Sequence, residues 1–206
     1  MALKFSAKMH KLETEGSDTY DIKIGSRPVI LTSAHGIGQK KRRGWKLPEF
    51  FTRGIAKYVG EKADCSYLVK NRDTGVDPNK ANDDEFKTIL LQLIEKNHIK
   101  LAIDLHGAKQ DWDFDVEIGT LNGQTIGPEI IEKLTKCLNR NGIKKIAIDD
   151  PFKGGDITRT VHEQASIDCL QFEINRRFRS LHRITYIENL CKALAEFIGE
   201  NYWQSV

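Results

Sequence analysis

Along the chain, short apolar runs alternate with segments whose apolar residues recur every three or four positions. The first run, Pro28-Val29-Ile30-Leu31-Thr32, groups β-branched and large apolar side chains between turn residues and predicts a buried strand. Leu47, Phe51, Ile55 and Tyr58 then recur at helical spacing, and Pro48 suits a first turn, so a helix is predicted over 47–59. A short strand follows over 66–69. Phe86, Ile89, Leu90, Leu93 and Ile94 share one face of a helix over 85–96, with Asn82 or Asp83 as its expected cap. The next strand, over 101–105, runs into His106-Gly107, and 114–118 is a further candidate strand. A helix over 128–139 stops near Asn141-Gly142, and strands over 144–148 and 169–174 follow. The last helix, over 185–202, sets Ile187, Leu190, Leu194, Phe197 and Ile198 on one stripe. Strands alternating with helices predict a three-layer α/β/α domain with a mixed, largely parallel sheet.

Composition narrows the picture only slightly. A chain of 206 residues holds one domain with a full core, and no linker divides it, so 1–206 reads as a single domain. Apolar residues at 39% and charged residues at 30% are ordinary for a globular protein. A net charge of +3 is too small to imply a nucleic-acid partner. No apolar run approaches the ~20 residues that cross a bilayer, and Met1 to Phe5 lacks a leader's apolar stretch, so no membrane role is expected. Cys65, Cys137, Cys169 and Cys191 are far apart and read as reduced, buried thiols of a cytoplasmic protein.

Three polar clusters stand at strand ends, where α/β sheets collect their ligands. They are Thr32-Ser33-Ala34-His35-Gly36, Asp104-Leu105-His106-Gly107 and Phe172-Glu173-Ile174-Asn175-Arg176. Two His-Gly steps, each straight after an apolar strand, suggest more than two capped strand ends. Neutral imidazole is the commonest Zn²⁺ ligand, and a catalytic zinc needs three protein ligands and an open position. His35 and His106 would supply two of them. Asp104, two residues before His106 and on the same strand face, could orient its imidazole. Glu49, in the expected first turn after His35, is the candidate third ligand; a solvated first-turn glutamate is the plain alternative, and Asp64, Asp73 and Asp77 are rivals. Alternation puts Gln171, Glu173 and Asn175 on one face of an otherwise core-like strand, where polar groups are costly unless they border a cavity. Glu173 is therefore the candidate general base.

Pro151-Phe152-Lys153-Gly154-Gly155-Asp156-Ile157-Thr158-Arg159, followed by Leu170-Gln171-Phe172-Glu173-Ile174-Asn175-Arg176, is similar to the P-F-x-G-G-x-I-T-R and L-Q-x-E-I-N-R signature of the N-formylglutamate amidohydrolase family. Thr32 to Gly36 looks like that family's P-H-S-G element, and Asp104 to Gly107 like its D-x-H-S element. The resemblance spans about residues 28 to 179. It implies a zinc-exopeptidase-like (phosphorylase/hydrolase-like) fold with Zn²⁺ bound by His35, His106 and a carboxylate, and Glu173 as general base. It also implies hydrolysis of an N-acyl amino acid to the free amino acid and a small acid. The wider carboxypeptidase group grips a substrate carboxylate with an Asn-Arg pair, and Asn71-Arg72 lies at a compatible place between the histidines. Arg159 is a second candidate for that grip or for oxyanion stabilisation, because a guanidinium suits bidentate carboxylate binding. Asn175 joins the expected substrate-binding set. The chain departs from the group in lacking H-x-x-E, with Gly38 where the glutamate would stand, and in carrying Gly36 and Gly107 where serine is frequent.

Other features carry less. The Lys40 to Arg43 run beside Trp45 could attract an anion, although such loops are usually just solvated. His162 could line the site. Asp111, Asp113, Asp115 and Glu117 could bind a second cation, or could mark a strand with one wet face. The expectation is a zinc amidohydrolase acting on a small N-acyl amino acid or a short peptide. Two readings compete with it: a carboxypeptidase-like metallopeptidase on a peptide or cell-wall amide, and a non-catalytic carboxylate-binding domain without metal.

Overall fold

A computed structural model describes residues 2–40, 44–81 and 84–202. Seven strands form one sheet in the order β1-β5-β2-β6-β9-β7-β8. They are β1 (Tyr20–Lys23), β2 (Arg27–Ser33), β5 (Cys65–Lys70), β6 (Leu101–Ala108), β7 (Val116–Gly119), β8 (Ile146–Ile148) and β9 (Asp168–Asn175). The four central strands β5, β2, β6 and β9 run parallel. β1 is antiparallel to β5, and β7 is antiparallel to β9 but parallel to β8. A two-stranded ribbon, β3 (Gln39–Lys40) and β4 (Trp45–Lys46), stands apart. The expected three-layer α/β/α fold with a mixed, largely parallel sheet is what the chain adopts.

The parallel centre is buried on both faces, so its strands read as apolar runs with little alternation. On one face Val29, Leu31, Leu101, Ile103, Leu105, Leu170 and Phe172 pack under α1 (Ala2–Thr14), α2 (Thr52–Lys62), α4 (Pro128–Arg140) and α6 (Ile184–Asn201). On the other, Ile30, Ala34, Ala102 and Cys169 pack under α3 (Glu85–Lys96) and α5 (Asp156–Ala165). This second layer is thinner. Asp104, His106, Gln171 and Glu173 continue its face of the sheet toward the carboxyl ends of the strands.

Several elements depart from expectation. The helix expected over 47–59 begins only at Thr52, because Phe51 adopts a left-handed conformation (φ 68°) and the preceding residues are held otherwise. Glu49 therefore lies in the loop before α2, not in a helical first turn; its N–H donates to the His35 carbonyl at 2.9 Å. The Glu13 carboxylate, from the unforeseen helix α1, caps α2 instead, accepting from the N–H groups of Phe51 and Gly54 at 2.9 and 2.7 Å. Asp84 caps α3 by accepting from the Phe86 N–H; Asn82 and Asp83 lie outside the described residues. The strand expected over 114–118 is β7, and its residues Val116 to Gly119 are all buried, so the wet face expected for Glu117 is absent. Asp113 is exposed and pairs with Lys145, while Asp115 accepts from the Lys144 and Lys145 N–H groups. Helix α5 was hidden by its polar sequence and by Gly154-Gly155 ahead of it. Of the basic run, Lys41 to Arg43 lie outside the described residues.

Candidate active site

His35 follows β2, and His106 stands near the end of β6, the strand beside it. Their Nδ1 atoms face one another at 3.2 Å. The Glu49 loop folds back between them, putting Oε1 3.4 Å from His35 Nδ1 and Oε2 3.2 Å from His106 Nδ1. One ligand atom from each residue falls within a common 4.8 Å. The other nitrogen of each ring has its own carboxylate: Asp77 Oδ1 lies 2.7 Å from His35 Nε2, and Asp104 Oδ2 lies 2.8 Å from His106 Nε2. Asp104 also accepts from the Thr32 hydroxyl at 2.6 Å. Asp77, a rival ligand on sequence grounds, thus orients His35 as Asp104 orients His106.

This pairing decides what the cluster can hold. A carboxylate on Nε2 favours the proton there and leaves the Nδ1 lone pair facing inward. Two such lone pairs and a carboxylate repel unless positive charge lies among them. A proton can supply it: burial draws the His106 imidazolium down, but Asp104 and Glu49 outweigh that and raise its pKa well above the usual histidine range. For Glu49, burial pushes upward and the two imidazoles overcome it, so its carboxyl is held well below the ordinary range. A divalent cation fits the same donors better, since two imidazoles and a carboxylate are a three-ligand set that leaves a coordination position open.

Further residues hold Glu49 in place. Its Oε2 accepts from the Gly107 N–H at 3.0 Å, and Lys46 Nζ lies 3.0 Å from Oε1. The Arg179 guanidinium, nearly buried, donates to the carbonyls of Phe50, Ala108 and Ile174 at 2.8, 2.9 and 2.9 Å. It thereby ties the Glu49 loop to the ends of β6 and β9. Gly107 makes room for it, because a Cβ there would stand 2.4 Å from Arg179 Cζ. Gly36 does the same for Arg53, whose Cγ would be 2.2 Å from a Cβ. Each candidate ligand histidine is therefore followed by a glycine because an arginine side chain passes against the backbone there.

Glu173 is the register partner of His106 across β6 and β9. Its Oε1 accepts from the Gln171 amide at 3.2 Å, and burial raises its pKa to about 6, with His106 and Glu49 acting in opposite senses. Asn79 lies 3.1 Å from His106 Nε2 and accepts from the Ile157 N–H at the start of α5. Gly155 permits this approach, since a Cβ would be 2.8 Å from both Asn79 Oδ1 and Gln171 Oε1. A cleft of about 920 Å³ opens beside Glu49, walled in part by Phe50, Gly107, Lys109, Arg176 and Leu181.

Of the residues singled out in the sequence, the fold brings His35, Glu49, His106, Asp77, Asp104 and Glu173 together. It does not bring Asn71 to them: that side chain accepts from Arg53 Nη1 at 3.0 Å and packs against Gly16. Arg72, next in the chain, is exposed. Asn175 is committed to local structure, donating to the Trp112 carbonyl at 3.1 Å and accepting from the Arg177 N–H. Arg159 sits exposed on the first turns of α5, with no described side-chain partner. Sequence reasoning missed Asn79, Arg53 and Arg179. The only trace of the arginines was the glycine after each histidine.

The fold is of the zinc-peptidase-like kind, and it carries a His-Glu-His cluster that could hold a metal ion. The resemblance read from the sequence is borne out: residues 83–179 match the model of the N-formylglutamate amidohydrolase family. No curated protein sequence matches the chain. Among solved structures, an N-formylglutamate amidohydrolase from Ralstonia eutropha JMP134 superposes with a TM-score of 0.69 at 14% identity, covering 89% of this chain and 99% of that one. A bacteriophage poly-γ-glutamate hydrolase gives a TM-score of 0.55 at 20% identity, over 90% and 89% of the two chains. A metallo-carboxypeptidase from Burkholderia cenocepacia gives 0.52 at 11% identity, over 96% of this chain and 68% of that one.

Proposed function

We propose that the protein is a zinc-dependent amidohydrolase that removes the acyl group from an N-formylglutamate-like N-acyl amino acid. The observation that carries this reading is the pair of Nδ1 atoms 3.2 Å apart with the Glu49 carboxylate against both, each ring held from behind by its own carboxylate. His35, Glu49 and His106 would hold the ion, and Asp77 and Asp104 would fix the two imidazoles. When bound there, a Zn²⁺ ion would supply Lewis acidity toward the scissile carbonyl and the attacking water. Glu173 takes the proton of the attacking water and returns it to the leaving amine. Arg159, exposed on the first turns of α5, is the residue type that would grip a substrate carboxylate or the developing oxyanion. The whole chain acts as one metallohydrolase domain. Four free, buried cysteines suit a reducing, cytoplasmic setting, and no described helix is long and apolar enough to cross a membrane.

A second reading is favoured by the cleft beside Glu49, whose volume of about 920 Å³ exceeds what a formyl amino acid fills. Under it the scissile amide belongs to a peptide or a γ-linked glutamyl chain, the kind of substrate named for the bacteriophage neighbour. Hydrolysis of N-formylglutamate and of short α- and γ-linked glutamyl peptides, each with and without a chelator, tests both. Chelator-sensitive release of formate supports the first reading, and release of glutamate from peptides alone supports the second. Turnover that survives complete metal removal contradicts both.

A further inference from the structure

Glu117 is a fully buried ionisable group that the mechanism leaves unused. It stands on β7 directly opposite Glu173 on β9, and Glu173 in turn stands beside His106 on β6. Register partners project to the same face, so His106, Glu173 and Glu117 form one row across three strands. The Glu117 side chain is fully buried, and neither carboxylate oxygen has a side-chain hydrogen-bond partner among the described residues. The strongest charges acting on it are all acidic: Glu173 from β9, and Asp149 and Asp150 from the turn after β8. Asp149 is spent on Thr120, whose N–H it accepts at 2.6 Å.

Two neighbouring buried carboxylates cannot both be charged without a cation, and against its burial Glu117 has only the Asp150 backbone N–H acting to lower its pKa. Burial and the acidic neighbours push the Glu117 pKa up to about 9, so at neutral pH it carries a proton. A buried carboxylic acid needs an acceptor for that proton. Glu173 offers one, because the Gln171 amide occupies only its Oε1.

Taking Glu173 as the base, as proposed above, we propose that Glu117 is a permanently protonated positioning residue whose carboxyl O–H donates to Glu173 and fixes that carboxylate beside His106. No proton is exchanged in turnover. Glu117 stays neutral while Glu173 cycles between carboxylate and acid.

Two variants of the full chain test this, E117Q and E117L, with metal content, kcat, KM and urea unfolding measured for each. Glutamine keeps a donor of the same shape, so E117Q should keep kcat within about threefold of the parent, whereas E117L should lose about tenfold or more with KM and metal content unchanged. The unfolding data carry a separate signature. The unfolded chain releases the Glu117 proton near 4.5 and the folded chain near 9, so between those values the native state holds the extra proton and stability falls as pH rises. That part of the slope should vanish in E117Q. Should E117L fail to fold, the E117Q slope and kcat still decide the matter. Full kcat in E117L, equal losses in both variants, an unchanged slope in E117Q, or a second bound cation lost in E117Q would each overturn the proposal. Retained turnover in E173Q would instead remove Glu173 as the base, while the Glu117 slope would still report its proton.

Discussion

At the scale of single residues, the site is a matter of which atom each carboxylate faces. Asp77 and Asp104 bind the far nitrogens of His35 and His106 and so aim the near ones at Glu49. Replacing either aspartate by alanine should leave the chain folded and weaken metal binding about 10–100-fold, which metal titration followed by calorimetry will measure. Replacing Glu173 by glutamine should leave the metal in place and lower kcat about 10²–10⁴-fold. Glu173 works as a base only when ionised, and burial raises its pKa to about 6. Turnover should therefore fall as pH drops through that value, and an acid limb that persists in residual E173Q activity would assign it to another group. Asp104, His106 and Glu173 were legible because each breaks an apolar strand at its carboxyl end. Asp77 was visible only as one acidic loop residue among several, since nothing local shows which histidine a loop will reach.

At the scale of elements, His106 sits on a strand and His35 just after one, both strands that any α/β pattern would place, while Glu49 depends on a loop that no periodicity describes. The spacing of Leu47, Phe51, Ile55 and Tyr58 suggested a helix through Glu49, but the helix starts three residues later. Two distant groups account for this: the His35 carbonyl takes the Glu49 N–H, and Glu13 of α1 caps α2. Glu13→Ala should then destabilise the fold by about 1 kcal/mol as a lost cap, seen as a lower urea midpoint. The arginine clamps give a sharper test. Gly107→Ala drives a methyl into Arg179 and should cost about 1–3 kcal/mol as an overpacked site. It should also loosen the Phe50 carbonyl contact and weaken metal binding, although position 107 need supply no ligand. Serine after the histidine, frequent in the resembled family, would meet the same guanidinium in this chain.

At the scale of the whole molecule, the three-layer architecture and the strand-end location of the site followed from alternating apolar runs and helical stripes. Strand order did not, because it rests on which runs pair across long stretches of chain: β5 and β6 flank β2, and β9 separates β6 from β7. That order sets His106 and Glu173 on adjacent parallel strands with His35 just past the end of the next one, and puts Glu117 one strand further out. Asn71 and Asn175, attractive as polar residues at strand ends, are used by the fold to hold Arg53 and the 110–112 loop. On the proposed reading, His35, Glu49 and His106 form one metal site that turnover requires. Its most direct test is the metal stoichiometry of protein purified without chelator, measured beside amide hydrolysis for the parent chain and for H35A, E49A and H106A. The expected result is one divalent cation per parent chain, lost together with turnover in folded H35A and H106A and bound more weakly in E49A. Folded parent protein that binds no divalent cation at micromolar concentration, or that hydrolyses its substrate without one, would contradict it.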